Sequence, residues 1–126
     1  MKKIIFILSI FFGLLPIILS CKKSPANKQN TQTINVTLKP NQSYQFDLGG
    51  FGIEEGAGIT KQATHFLIST ATRDISGNTP NIIYTYVSAK DYVGTDEVEL
   101  KSERGSNGAS PNMIITYTII KFQIKN

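Results

Sequence analysis

Side chains able to do covalent or acid–base chemistry are few in this chain: one cysteine, Cys21, one histidine, His65, and nine carboxylates. Their spacing is unfavourable for the common constellations. A zinc site needs several Cys or His ligands, and beyond Cys21 there is one His and no Cys. A hydrolase triad needs Ser, His and a carboxylate together. Ser69 follows His65 in the run HFLIST, but positions i and i+4 of a strand lie about 13 Å apart, so His65 reads as a structural or edge residue. Glu54 and Glu55 are adjacent rather than opposed, and Glu97 and Glu99 share one face of an alternating run, as solvated carboxylates do. The stretch GGFGIEEGAG, Gly49 to Gly58, is followed by no Lys-Ser/Thr pair and so is no phosphate cradle. What remains for catalysis is a carboxylate pair assembled from distant positions among Asp47, Glu54, Glu55, Asp91 and Asp96.

Cys21 belongs to a different chemistry. It follows MKKIIFILSIFFGLLPIILS, in which Lys2 and Lys3 precede an apolar run from Ile4 to Leu19. That is the layout of an export signal over residues 1–20. The junction Ile18-Leu19-Ser20-Cys21 resembles the lipobox of bacterial lipoproteins. The resemblance implies cleavage between Ser20 and Cys21, diacylglycerol on the Cys21 sulfur, and anchoring to membrane lipid in the bacterial envelope. Lys22, a non-acidic residue after the cysteine, points to the outer membrane in a diderm cell. A single cysteine forms no intrachain disulfide, and two or more acyl chains hold a protein on a bilayer stably.

The remaining residues must build whatever the anchor carries. Residues 21–32, CKKSPANKQNTQ, contain no large apolar side chain and are expected to form a flexible tether. Residues 33–126 suit one modest core. The precursor's net charge of +4 rests on thirteen basic and nine acidic side chains, but Lys2, Lys3, Lys22, Lys23 and Lys28 precede the domain. The near-neutral remainder and the export signal exclude nucleic acid as a partner.

Period two dominates the domain. Ile34, Val36 and Leu38 alternate with polar residues, as do Tyr44, Phe46 and Leu48 after the Pro40-Asn41 turn, and Val98 and Leu100 further on. Ile82 to Val87 is apolar on both faces, which suits a central strand. Gly49 to Gly58 reads as a loop pinned to the core by Phe51, Ile53 and Ile59. Met113, Ile115 and Tyr117 fall in the opposite parity to Ile120, Phe122 and Ile124, so the last run predicts a bulge near Thr118–Ile120 or a strand that changes sheets. Six or seven short strands without a helical stripe predict an all-β fold, a small antiparallel β-sandwich, with a small β-barrel as the alternative.

Tyr84-Thr85-Tyr86, the turn Asp91-Tyr92-Val93-Gly94-Thr95-Asp96, then Val98, Leu100 and a glycine-bearing hairpin resemble bacterial immunoglobulin-like and cadherin-like modules over 83–124. Independently of that resemblance, Tyr92 can close the open end of the core, Gly94 can take a positive φ, and Thr95 or Asp96 can accept turn amides. Since carboxylates hold calcium in cadherins, Asp91, Asp96 and Glu97 are the candidate calcium ligands; no other cofactor is expected. Two functional classes follow. One is a non-enzymatic binding or structural module, using Gly49, Gly50, Phe51, Gly52, Ile53, Glu54 and Glu55 toward an envelope protein, peptide or glycan. The other is a small envelope hydrolase using paired carboxylates.

Overall fold

A computed structural model describes residues 27–105 and 114–126. The signal segment, the Ser20–Cys21 junction and Cys21 itself lie outside the described residues. Seven strands follow in chain order: β1 (Lys28–Leu38), β2 (Ser43–Gly50), β3 (Gly56–Lys61), β4 (Phe66–Asp74), β5 (Asn81–Ser88), β6 (Gly94–Arg104) and β7 (Ile114–Ile124). They form two sheets, ordered β1-β7-β6-β3 and β2-β5-β4. The fold is therefore an all-β two-sheet sandwich, not a closed barrel. All pairings are antiparallel except β1 with β7, which is parallel.

The core lies between the sheets. Leu38, Val98, Leu100, Ile120, Phe122 and Ile124 come from one side, Tyr84 and Tyr86 from the other. Tyr86 stacks on Phe122 at 3.9 Å between ring centroids, and Tyr44 meets Phe122 edge-on at 5.6 Å. Tyr84 is fully buried, and its hydroxyl lies 2.8 Å from Ser69 Oγ. Burial pushes the Tyr84 phenol up to about 12, so it stays a neutral hydrogen-bonding group.

Three expectations are corrected. Residues 28–32, expected in the tether, are strand instead: Lys28 to Gln32 belong to β1 and pair with Ile114 to Thr118. Their side chains remain exposed; backbone pairing with β7, reinforced by Gln32 Nε2 donating to Thr118 Oγ1 at 2.8 Å, orders them in place of burial. The bulge or sheet change near Thr118–Ile120 does not occur, since β6 and β7 pair without a register shift from Gly94↔Ile124 to Arg104↔Ile114. The parity conflict resolves differently: Ile115, Tyr117 and Ile119 lie on the outer face while Thr118, Ile120, Phe122 and Ile124 face the core. Finally, Gly49 to Gly58 is not one loop. Gly49 and Gly50 end β2, and Gly56 to Gly58 begin β3 against Glu103 to Lys101, which leaves residues 51–55 as the connection.

Candidate functional site

The connections collect at two ends of the sandwich. At one end lie residues 51–55, residues 75–80, and the end of β6 beside the starts of β1 and β7. Arg104 organises this end. Alternation along β6 aims it inward with Val98, Leu100 and Ser102, past the last core layer. Its guanidinium donates to the Leu48 and Gly50 carbonyls and lies 3.9 Å above the Phe51 ring, a cation–π placement. Phe51 is buried beneath it, and its amide donates to Pro80 O at 2.9 Å.

Glu55 braces the loop from the other side. Its carboxylate accepts the Gly52 amide at 3.0 Å and the Gly105 amide at 2.6 Å. Those two backbone bonds, Gly52 first, with help from Arg104, hold its pKa below the usual carboxylate range. The Glu55 carbonyl accepts from Arg73 at 3.1 Å. Gly49 sits at φ +87°, stabilised by its amide donating to Asp47 Oδ1 at 2.6 Å, while Asn81 Nδ2 reaches Asp47 Oδ2 at 3.3 Å. A Cβ on Gly50 would come within 2.7 Å of Thr79 Cγ2, so this glycine permits close approach of the two loops.

Of the three side chains expected to pin the loop, Phe51 is buried, Ile59 packs against the core, and Ile53 is fully exposed. Residues 51–55 thus form a tied scaffold with an apolar tip. Ile75, on the neighbouring connection, and Ile114, at the start of β7, are also exposed. Sequence reasoning missed Arg104 and Ile75; for Arg104 the usable signal was a cation at a core-facing position of an alternating strand.

The opposite end carries the turn residues. Asp96 is buried and accepts the amides of Thr64, His65 and Glu97, each at 2.9 Å, plus the Tyr86 hydroxyl at 3.0 Å. Burial alone would raise its pKa, but the three amides and Tyr86 together outweigh that and lower it. Tyr92 stacks on His65 at 4.2 Å, donates to Thr95 O at 2.8 Å, and packs against the core. Gly94 has φ +150°, and a Cβ there would meet the Tyr92 hydroxyl at 2.7 Å. Thr95 contributes its carbonyl rather than its hydroxyl to the turn.

These placements divide the candidate carboxylates between the two ends. Asp47 and Glu55 lie at the Arg104 end and Asp96 at the other, each already accepting hydrogen bonds within the fold. Asp91 occupies a left-handed turn position, φ 57°. Glu97 faces outward and pairs with Lys61 at 3.1 Å and Lys121 at 3.8 Å. Among the described residues Asp91, Asp96 and Glu97 do not form a metal-holding group. A trough of about 580 Å³ runs over the outer face of the four-stranded sheet, lined in part by Asn35, Thr37, Lys61, Glu97, Lys121 and Gln123, with Glu97 paired to both lysines.

Neither a protein-family model nor a curated protein matches this chain. Among solved structures, it is similar to PbICP-C in complex with falcipain-2, with a TM-score of 0.57 and 15% identity over 79% of this chain and 93% of that one. It also aligns with the cysteine protease inhibitor EhICP2 from Entamoeba histolytica, with a TM-score of 0.49 and 14% identity over 81% of this chain and all of the other, 100%. The likeness is one of fold.

Proposed function

We propose that this chain is a non-enzymatic binding module of the bacterial envelope, anchored by lipid on Cys21 after cleavage behind Ser20, and that it meets a protein partner through the Arg104 end. The observation that carries the reading is Ile53, fully exposed at the tip of a connection that Arg104 and Glu55 brace from both sides. An apolar side chain on a pre-ordered loop loses little conformational freedom when a partner covers it, and loops on a rigid sheet scaffold are common contact elements. PbICP-C, which shares the fold, was solved with a protein bound, and that supports a protein over a glycan. Asp47 and Glu55 at one end and Asp96 at the other are each engaged as acceptors for backbone amides, structural use that favours binding over carboxylate-pair hydrolysis.

Two experiments test the reading. Radioactive fatty acid should label the wild type and leave Cys21→Ser unlabelled; equal labelling of both removes the anchor. Ile53→Asp should keep the unfolding midpoint of the wild type while losing most partner recovery from solubilised envelopes. Unchanged recovery would exclude the Ile53 loop as the contact.

A further inference from the structure

The segment leading from Cys21 enters the fold at the same end as the Ile53 loop. Lys28 pairs with Ile114, Ile114 stands opposite Arg104, and Arg104 holds the Leu48 and Gly50 carbonyls. Beyond β7 the chain leaves at the other end, where the Lys125 amide donates to Leu38 O at 3.0 Å. Six residues, numbers 22–27, separate Cys21 from β1. Covalent geometry limits that connection to about 25 Å, whereas an eleven-residue strand such as β1 runs about 36 Å. An anchor on Cys21 therefore keeps the Ile53 end close to the lipid whenever the sandwich stands upright on it, with Val93 and Ile124 away from the lipid.

The chemistry of this end selects among occupants. Ile53, Ile75 and Ile114 are exposed; Arg104 gives donors to the Leu48 and Gly50 carbonyls, Arg73 gives one to the Glu55 carbonyl, and the Glu55 carboxylate interacts with Arg104. Lys22, Lys23 and Lys28 belong to the segment that leads in from Cys21, while the connections 51–55 and 75–80 carry no cation. A surface built for anionic headgroups presents free cations instead. A separate soluble domain fits poorly too: even 100 residues have a radius of gyration of about 13 Å and thus a diameter above 30 Å, more than the connection spans.

Resting on the proposed acylation and on the contact role of Ile53, we infer that the Ile53 end faces the membrane that carries the anchor, and that its partner is a protein embedded in that same membrane with its contact surface within about 25 Å of the lipid.

The test uses the full acylated chain carrying Ile53→Cys or Val93→Cys, in vesicles of phosphatidylethanolamine and phosphatidylglycerol. With Cys21 acylated, the introduced residue is the sole free thiol. A polymer-bulked maleimide should label position 53 severalfold more slowly on vesicles than in detergent and leave the rate at position 93 unchanged. Inserting about thirty Gly/Ser residues between Asn27 and Lys28, which lengthens the reach by roughly 30 Å, should restore labelling at 53. Equal rates at both positions would overturn the orientation. A photoreactive group at 53 in growing cells should give adducts with protein that stays with the membrane through carbonate extraction; adducts only with soluble protein or lipid, or none, would overturn the partner class. A chain that stays off the vesicles with a reactive Cys21 thiol would remove the anchor, a failure distinct from that of orientation.

Discussion

Asp96 joins three segments that are far apart in sequence: the connection between β3 and β4, the central strand β5 through Tyr86, and the start of β6. Replacing it with Asn keeps the shape but removes the charge and one acceptor, stranding buried amides. Asp96→Asn should lower unfolding free energy by about 2 kcal/mol in urea titrations at neutral pH. Because its folded pKa is depressed, Asp96 stabilises the fold above its unfolded value, near pH 4. That contribution is lost as pH falls through the lower, folded value. Wild type should therefore lose more stability than Asp96→Asn between neutral pH and about pH 3, and parallel losses would contradict this. Tyr92, stacked on His65 and bonded to Thr95 O, should cost about 2 kcal/mol on truncation to Ala, read in the same titrations. The turn Asp91–Asp96 was legible because glycine and carboxylate chemistry is local. That Asp96 would serve Thr64, 32 positions away, was not, since no local pattern encodes a long-range acceptor.

Among the elements, strands with one buried face announced themselves. β2, β5 and the middle of β6 follow period two because half of each meets the core. Elements ordered by backbone pairing were invisible: β3 opens on glycines and the first half of β1 is polar and exposed. In β7, Ile115 and Tyr117 misled because apolar residues were assumed to point inward, whereas this sheet carries them outside. The brace on residues 51–55 was equally hidden, being spread over β6, β4 and the 75–80 connection. Glu55→Ala should free the Gly52 and Gly105 amides and raise amide exchange across 51–55 roughly tenfold, with the β5 amides unchanged. Phe51→Ala, by contrast, empties a buried site beneath Arg104 and should destabilise the whole fold by about 3 kcal/mol in denaturant titrations.

At the scale of the molecule, the four-stranded sheet is completed by its most distant partners. β1 lies alongside β7 in parallel, and the Gln32–Thr118 bond closes a separation of 86 positions. Loop-closure entropy must be met before such a pair forms, and domains dominated by non-local pairing fold in milliseconds to seconds. Stopped-flow refolding of the domain should fall in that range. Synthesis delivers β1 long before β7. Until Ile114 to Ile124 follow, β1 has no neighbour to pair with, and the β7 face of β6 is open. The wiring that seats the start of β1 beside the Arg104 end thus also makes the first strand wait for the last: β2, β5 and β4 can close their own sheet early, while β1 stays unpaired until β7 is complete.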